Sequence, residues 1–517
     1  METKNAVPTS KEIVPWYKEV DGVIAGVCAG AFAAFLIWSQ VAGDSMGEIM
    51  SSALAFLTQK VGAIYLITAF VIIAFCLYLV FSKYGSIRLG ADDEKPEYPF
   101  FAWFSMLFAA CYGSGLVYWG VAEPLTFIGK PPFAIVPGSI RAGEISLAYA
   151  FFHWGFTPWA MTALPAVAFG YFLFRKNMSP RYSMFLKPLL GDNYGNALCR
   201  MVDALLVVSA VGAMVCCLGL GVKQFVFGLN SVLGIPNNMF VTMSFCLLTV
   251  ATYTISCVSG LDKGIKFLST TNVYLALGVT AFVFLVGPTF FTLDISTQAF
   301  GELLNNYFRM SFNTDPIGKS GFSQGWTIFY WAWWFSCAAQ VGLFAASISR
   351  GRTIREMIIG IILFAPLGTF CWIGTMGGTA IYQQFFGGTD LVAILQNVGT
   401  DGALWAFLNT LPFSKLLGVA HLCLIFLFLV TTCNSGAYVW SQNTMHQQYK
   451  SLVPSKPVRL TYCLALSVVA MLLLLRGKGI SGLQLMPVVV SSPIIIIFIV
   501  MMVAVIKALR EDSSITK

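Results

Sequence analysis

Twelve apolar runs, each long enough to cross about 30 Å of hydrocarbon at roughly 20 residues per helix, leave this chain little choice of fold. They lie near residues 22-42, 62-81, 100-121, 146-174, 202-228, 238-258, 272-292, 324-349, 357-380, 415-438, 457-475 and 485-507. A bilayer core offers no water to backbone N–H and C=O groups, so each run is expected to cross as a helix. The expected class is an all-α polytopic membrane protein. Composition agrees: 57% of the residues are hydrophobic and only 10% charged, with a mean hydropathy of +0.76, whereas a water-soluble domain carries about a quarter charged residues. One transmembrane unit, 21-508, is expected between short tails at 1-20 and 509-517. The first run follows mixed polar residues without a cleavage pattern and reads as a permanent helix.

Lys and Arg divide unequally between alternate connections. One side would carry Lys83, Arg88, Arg175, Lys176, Arg181, Lys187, Lys263, Lys266, Arg350, Arg352, Arg355, Lys450, Lys456 and Arg459 with both termini, and the other keeps a few, such as Lys130, Arg141 and Arg309. The positive-inside rule then makes both termini cytoplasmic and accounts for the net charge of +8 without a nucleic-acid partner. The 13 cysteines fall mostly inside the runs and lack metal-type spacing, as Cys111, Cys216, Cys217, Cys246, Cys337 and Cys433 illustrate; they suit apolar packing rather than a disulfide framework. The link 293-323 contains "TQAFGELLNNYFRMSF", in which Phe300, Leu303, Leu304, Tyr307, Phe308 and Phe312 recur near helical period. An amphipathic helix along the membrane surface is expected over 297-312.

Helix breakers fall within three runs: "CYGSGLVYWG" at 111-120, Gly155 and Pro158 in the fourth run, and "VTTCNSG" at 430-436 in the tenth. Interrupted backbone at membrane depth is tolerated where protein or a cavity takes up the freed polar groups, and such helices mark midplane sites in secondary transporters. The eighth run holds "GWTIFYWAWWFSC", residues 325-337. At 100° per residue Trp326, Tyr330, Trp333, Trp334 and Cys337 share one face of about 100°, and Trp331 points elsewhere. Trp154 and Trp159 would stand roughly 140° apart on a regular helix, but Gly155 and Pro158 between them relax that geometry and allow the indoles to converge. Aromatic faces suit a quaternary ammonium, which lacks an N–H to donate and binds through diffuse charge at about 0.5–2 kcal/mol per ring. The runs contain almost no internal Asp or Glu, so a zwitterion fits better than a bare cation that lacks a counter-ion.

The stretches "FHWGFTPWA" (152-160), "GLVYWGVAEPLTF" (115-127), "NTDPIGKSGFSQGWTIFYWAWW" (313-334) and "ISRGRTIRE" (348-356) resemble the signature segments of the betaine/carnitine/choline transporter family, from about residue 100 to 450. The resemblance implies a LeuT-type fold in which spans 1-2 are peripheral, spans 3-7 form one five-helix repeat and spans 8-12 its inverted counterpart. It also implies a homotrimer in a prokaryotic inner membrane, with the 297-312 helix between the repeats and in trimer contacts. Trp154, Trp159, Trp333 and Trp334 would occupy the family's aromatic substrate positions, with Tyr330, Cys337 and the broken segment Tyr112, Gly113 and Ser114 beside them. Members driven by sodium hold the ion between the broken third span and two hydroxyls of the tenth. Here these would be Thr431 and Thr432, facing the backbone of Ala109 and Tyr112. Ion-independent carnitine/butyrobetaine exchangers of the family carry an arginine where this chain has Asn272 and a methionine where it has Val341, so the resemblance favours Na⁺ symport over exchange. A Thr pair that bonds only its own helix is the alternative. The chain departs from the family at Thr162, Cys337 and Cys111, which widens the choice of substrate from glycine betaine to choline, carnitine or butyrobetaine.

Other classes find less support. A haem subunit needs paired membrane histidines, and only His153 and His421 lie in the runs, with His446 in a loop. No nucleophile elbow surrounds Gly113, Ser114 and Gly115, so no enzyme and no organic cofactor is expected. A channel would need a filter-like repeat or charged ring, and none is visible.

Overall fold

The computed structural model describes residues 15-112, 115-446, 453-475 and 488-512. Among them the regular elements are all helical; the β pairing consists of two isolated bridges, Val20 with Met445 and Arg88 with Thr353. Among the described residues ten helices are long and apolar enough to cross a membrane, and the bent pair Phe100–Cys111 and Gly115–Gly129 makes an eleventh. In chain order they are span 1 (Gly22–Val41), span 2 (Ser45–Phe81), the bent pair as span 3, span 4 (Ile140–Arg175), span 5 (Ala197–Leu233), span 6 (Met239–Ser259), span 7 (Lys266–Val286), span 8 (Gln324–Ser347), span 9 (Ile354–Phe385), span 10 (Ser414–Asn443) and, last, Ser492–Arg510. Helix Lys456–Leu475 stands where the eleventh expected run lies, so Ser492–Arg510 is called span 12.

Local chemistry sets the ends. Asp21 caps span 1 by accepting the Val23 and Ile24 N–H groups, Asn196 caps span 5 through Cys199 N–H, and Thr353 with Glu356 forms a reciprocal capping box at span 9. Each satisfies donors that the first helical turn leaves unpaired. Span 4 breaks at Gly155, between helices Ile140–Trp154 and Phe156–Gly170. A Cβ there would stand 2.4 Å from the Phe151 carbonyl oxygen and 2.9 Å from Phe370, so only glycine fits the corner. Span 8 crosses span 4 at Gly342, where a Cβ would meet Pro165 at 2.7 Å. Spans 3, 4, 8 and 10 thus enclose the middle of the molecule, with span 5 packed along span 10.

Two expectations are corrected. The tenth span is not broken at 430-436 but runs as one helix, Ser414–Asn443. Its hydroxyls turn inward on its own backbone: Thr431 Oγ1 lies 2.9 Å from the Leu427 carbonyl and 3.0 Å from that of Phe428, and Ser435 Oγ donates to Thr432 at 3.0 Å. The amphipathic helix is longer than 297-312. It spans Thr289–Phe312, because span 7 ends at Val286 and Pro288 serves as the N-cap of a new helix rather than part of the span. Its Glu302 takes both Arg141 amino groups, at 2.7 and 2.9 Å, which ties it to the start of span 4.

Both described ends lie on the face that gathers the basic loops. Asp21 N–H donates to Thr444 and His446 N–H to Glu19, while the Tyr171 hydroxyl donates to Asp512 at 2.7 Å and Arg175 sits 3.5 Å from the same carboxylate. Arg181, 1% exposed, bonds Asp21 Oδ2 at 2.6 Å and the Met445 carbonyl at 3.0 Å, and lies 3.6 Å from Asp203. The Ser183 N–H and hydroxyl complete the Asp203 shell at 2.7 and 2.9 Å.

Candidate functional site

The two interruptions of spans 3 and 4 face span 8 across a cavity of about 310 Å³. The second half of span 3 is described from Gly115, which lines the cavity, so the positive end of that helix lies on the cavity's side. Trp154 lines the wall at the last position before the Gly155 corner. From span 8 come Trp326, Tyr330, Trp333, Trp334 and Cys337, the residues whose 100° spacing places them on one face. Trp331 points away and packs, fully buried, against Phe152 at 5.3 Å.

Trp334 is where the aromatic residues meet. Its ring lies 6.2 Å from Trp154 in a T-shaped contact and 6.4 Å from Trp159, tilted by 45°. The corner at Gly155 thus brings both indoles of span 4 onto one partner, but not as equals. Trp159 is fully buried, stacked near Phe108 at 6.3 Å, and backs the cavity rather than lining it. Cys111 and Cys337 both face the cavity, joined by Cys217 of span 5, whereas Thr162 is buried outside it. Gly113 and Ser114 lie outside the described residues, and Tyr112 closes the helix Phe100–Tyr112. No lining residue among those described is an Arg, Lys, Asp or Glu; the polar ones are Gln224, Gln340 and Thr432.

Beside the cavity, the hydroxyl oxygens of Thr431 and Thr432 each lie 3.4 Å from the Ala109 carbonyl. Three oxygens therefore converge where the first half of span 3 runs out, at the negative end of that helix. This donor set suits a hard cation, although Thr431 also holds its own helix's carbonyls. Asn272 is fully buried in span 7, and among the described residues neither its amide oxygen nor its nitrogen has a hydrogen-bond partner. Val341 lines the cavity.

Sequence reasoning passed over four contributors. Trp119 meets Trp326 edge to face at 6.0 Å in the cavity lining, and Gln224 and Gln340 add polar groups to it. The fourth, Glu123, corrects the expectation that the spans hold almost no acid: it is fully buried in the second half of span 3, behind Trp154 and Tyr330. The signal was present as one carboxyl in the apolar stretch 115-129.

A profile of the betaine/carnitine/choline transporter (BCCT) family matches residues 23–514. The chain belongs to this family. Among its BCCT relatives, the glycine betaine transporter OpuD of Bacillus subtilis is 35% identical over 482 residues, covering 93% of each chain. The ectoine/hydroxyectoine transporter of Virgibacillus pantothenticus is 35% identical over 93% of this chain and 95% of its own. The high-affinity choline transport protein of Escherichia coli is 31% identical over 96% of this chain and 73% of its own. This BCCT chain is accordingly a multi-pass membrane transporter and not an enzyme, and the cavity between spans 3, 4 and 8 is its candidate substrate site.

Proposed function

We propose that this transporter carries small quaternary-ammonium zwitterions, such as glycine betaine, carnitine or butyrobetaine, together with choline-like compounds. Na⁺ drives it by symport through alternating access. The observation that carries the reading is an aromatic cavity of about 310 Å³ whose described lining contains no ionised side chain. Trp154, Tyr330, Trp333 and Trp334 would hold the trimethylammonium head through their π faces, backed by Trp159. The substrate carboxylate would turn to the positive end of the helix that starts at Gly115.

Sodium would bind between Thr431, Thr432 and the Ala109 carbonyl, beside the helix end at Tyr112. It would favour the substrate-ready state because both ligands bias the same interrupted span. In the family's exchangers an arginine stands at the position of Asn272, so the uncharged amide supports ion coupling over exchange. Gln340 and Thr432 both line the cavity, which supports a reading in which substrate and ion would bind one layer of side chains apart. We further propose a homotrimer in a prokaryotic inner membrane, with both termini cytoplasmic. The outward-facing Leu304 and Phe308 of the surface helix would take part in the trimer contact, and the basic face described above supports the orientation.

The test is uptake into proteoliposomes of glycine betaine, choline, carnitine, butyrobetaine and ectoine, each with and without an inward Na⁺ gradient. Saturable uptake of a methylated zwitterion that collapses without Na⁺ is the expected result. Uptake driven only by internal substrate would replace symport by exchange, and transport of ectoine alone would remove the trimethylammonium requirement.

A further inference from the structure

Glu123 is fully buried, and among the described residues no Arg or Lys pairs with it. Oε2 accepts the Trp154 Nε1–H at 2.6 Å and the Tyr330 hydroxyl at 2.8 Å. Oε1 lies 2.6 Å from His153 Nδ1, and Nε2 of that ring lies 2.9 Å from the Thr327 hydroxyl. A ring that accepts from Thr327 carries its proton on Nδ1 and donates to Glu123. Three donors on two oxygens is the pattern an ionised carboxylate accepts, and charge-assisted bonds of this kind are short and geometrically demanding.

The donors come from two spans. Trp154 and His153 belong to span 4, Tyr330 and Thr327 to span 8, and Glu123 itself to the second half of span 3. Trp154 and Tyr330 both line the cavity, while Glu123 does not. The carboxylate therefore sits one ring's thickness behind the surface a substrate would touch. Its bonds fix the planes of two rings, which meet at 5.7 Å and 76°, and the imidazole of His153 stacks on Tyr330 at 4.8 Å.

We infer that Glu123 is the positioning residue of the aromatic site and also its counter-charge: it locks Trp154 and Tyr330 through their N–H and O–H groups and makes the cavity selective for positive charge. The Trp154 and Tyr330 donors are uncharged and hold the carboxylate without cancelling its charge, so its field reaches the cavity on their side through low-dielectric material. This rests on the proposed reading of the cavity as an ammonium site, and deepens it. The aromatic faces supply shape and a weak attraction, whereas the carboxylate discriminates a positive head from an uncharged one of the same size. It also removes the objection to a net cation such as choline.

The experiment compares each substrate with its carbon isostere: glycine betaine with 3,3-dimethylbutanoate, and choline with 3,3-dimethylbutanol. Binding to the purified full-length protein is measured by titration calorimetry. Wild type is expected to prefer the nitrogen compound in each pair. Glu123→Gln, which keeps shape but loses the charge, should narrow that preference on the order of tenfold. Glu123→Asp, which shortens the reach but keeps the charge, should retain it within about threefold while weakening both ligands. Equal losses for both members of a pair in Glu123→Gln would reduce Glu123 to a packing role and overturn the inference. Should Glu123→Gln fail to fold, the aspartate variant decides: loss of the preference there overturns the counter-charge. Wild type that binds both members of each pair equally, or binds none of them, would instead overturn the ammonium site itself.

Discussion

Trp334 touches both tryptophans of span 4 and so joins the lining of the cavity to its backing. Trp334→Ala is expected to weaken a quaternary-ammonium ligand by about 0.5–2 kcal/mol for the lost ring face, read as a higher Kd, and more if Trp154 then shifts. Trp331→Ala belongs to a different category, since that ring is fully buried among Phe152 and His153. It should cost about 3–5 kcal/mol of stability, visible as a lower Tm, with little effect on affinity in whatever protein remains folded. Periodicity was enough to sort these residues on span 8, because a helix fixes direction every 100°. It was not enough for Trp159, whose direction depends on the corner at Gly155, nor for Glu123, whose partners lie 30 to 207 residues away in sequence.

At the scale of elements, interrupted and continuous spans divide the work. Gly155→Ala would drive a Cβ into the Phe151 carbonyl at 2.4 Å and should displace Trp154, so lost substrate binding is expected to accompany a lowered Tm. Arg141 and Glu302 add a polar tie between helix Thr289–Phe312 and the start of span 4. The hydrogen-bonded guanidinium holds the Glu302 carboxyl below its usual range against the cost of burial. A carboxyl lowered by folding stabilises above the ordinary Glu range, and that increment disappears as pH falls through the lowered value. Arg141 is 46% exposed, so water screens the pair and Arg141→Ala should cost no more than about 1 kcal/mol. Thermal unfolding near pH 7 should reveal the difference, and it should vanish in strong acid. The start of this helix escaped sequence reading because apolar residues continue through 286-292, and the end of span 7 is set by Gly287 and Pro288 rather than by hydropathy. The tenth span misled in the opposite sense: Thr, Asn, Ser and Gly resemble breakers, yet the hydroxyls close onto their own helix.

For the whole molecule, most of the architecture was legible because hydrocarbon forces each apolar run into a helix, and a described helix overlaps each of the twelve runs, while helices such as Leu391–Val398 and Thr400–Asn409 lie between them. Assembly between runs was not, since nothing in the order of residues announces that Arg181 is enclosed by Asp21, Asp203 and the Met445 carbonyl. Arg181→Ala would leave the buried Asp203 carboxyl without its cation and Asp21 with only Arg200, 3.9 Å away, and should cost about 3–5 kcal/mol, measurable as loss of folded protein on heating in detergent. This enclosure also bears on how the protein can be handled. Residues 19-21 are stitched to 444-446 by backbone bonds as well as by the guanidinium, so the stretch ahead of span 1 acts as a clasp on the far end of span 10. A deletion that reaches Glu19 would open that clasp, and any change in turnover that followed would report damage to a fastening rather than the removal of an idle leader.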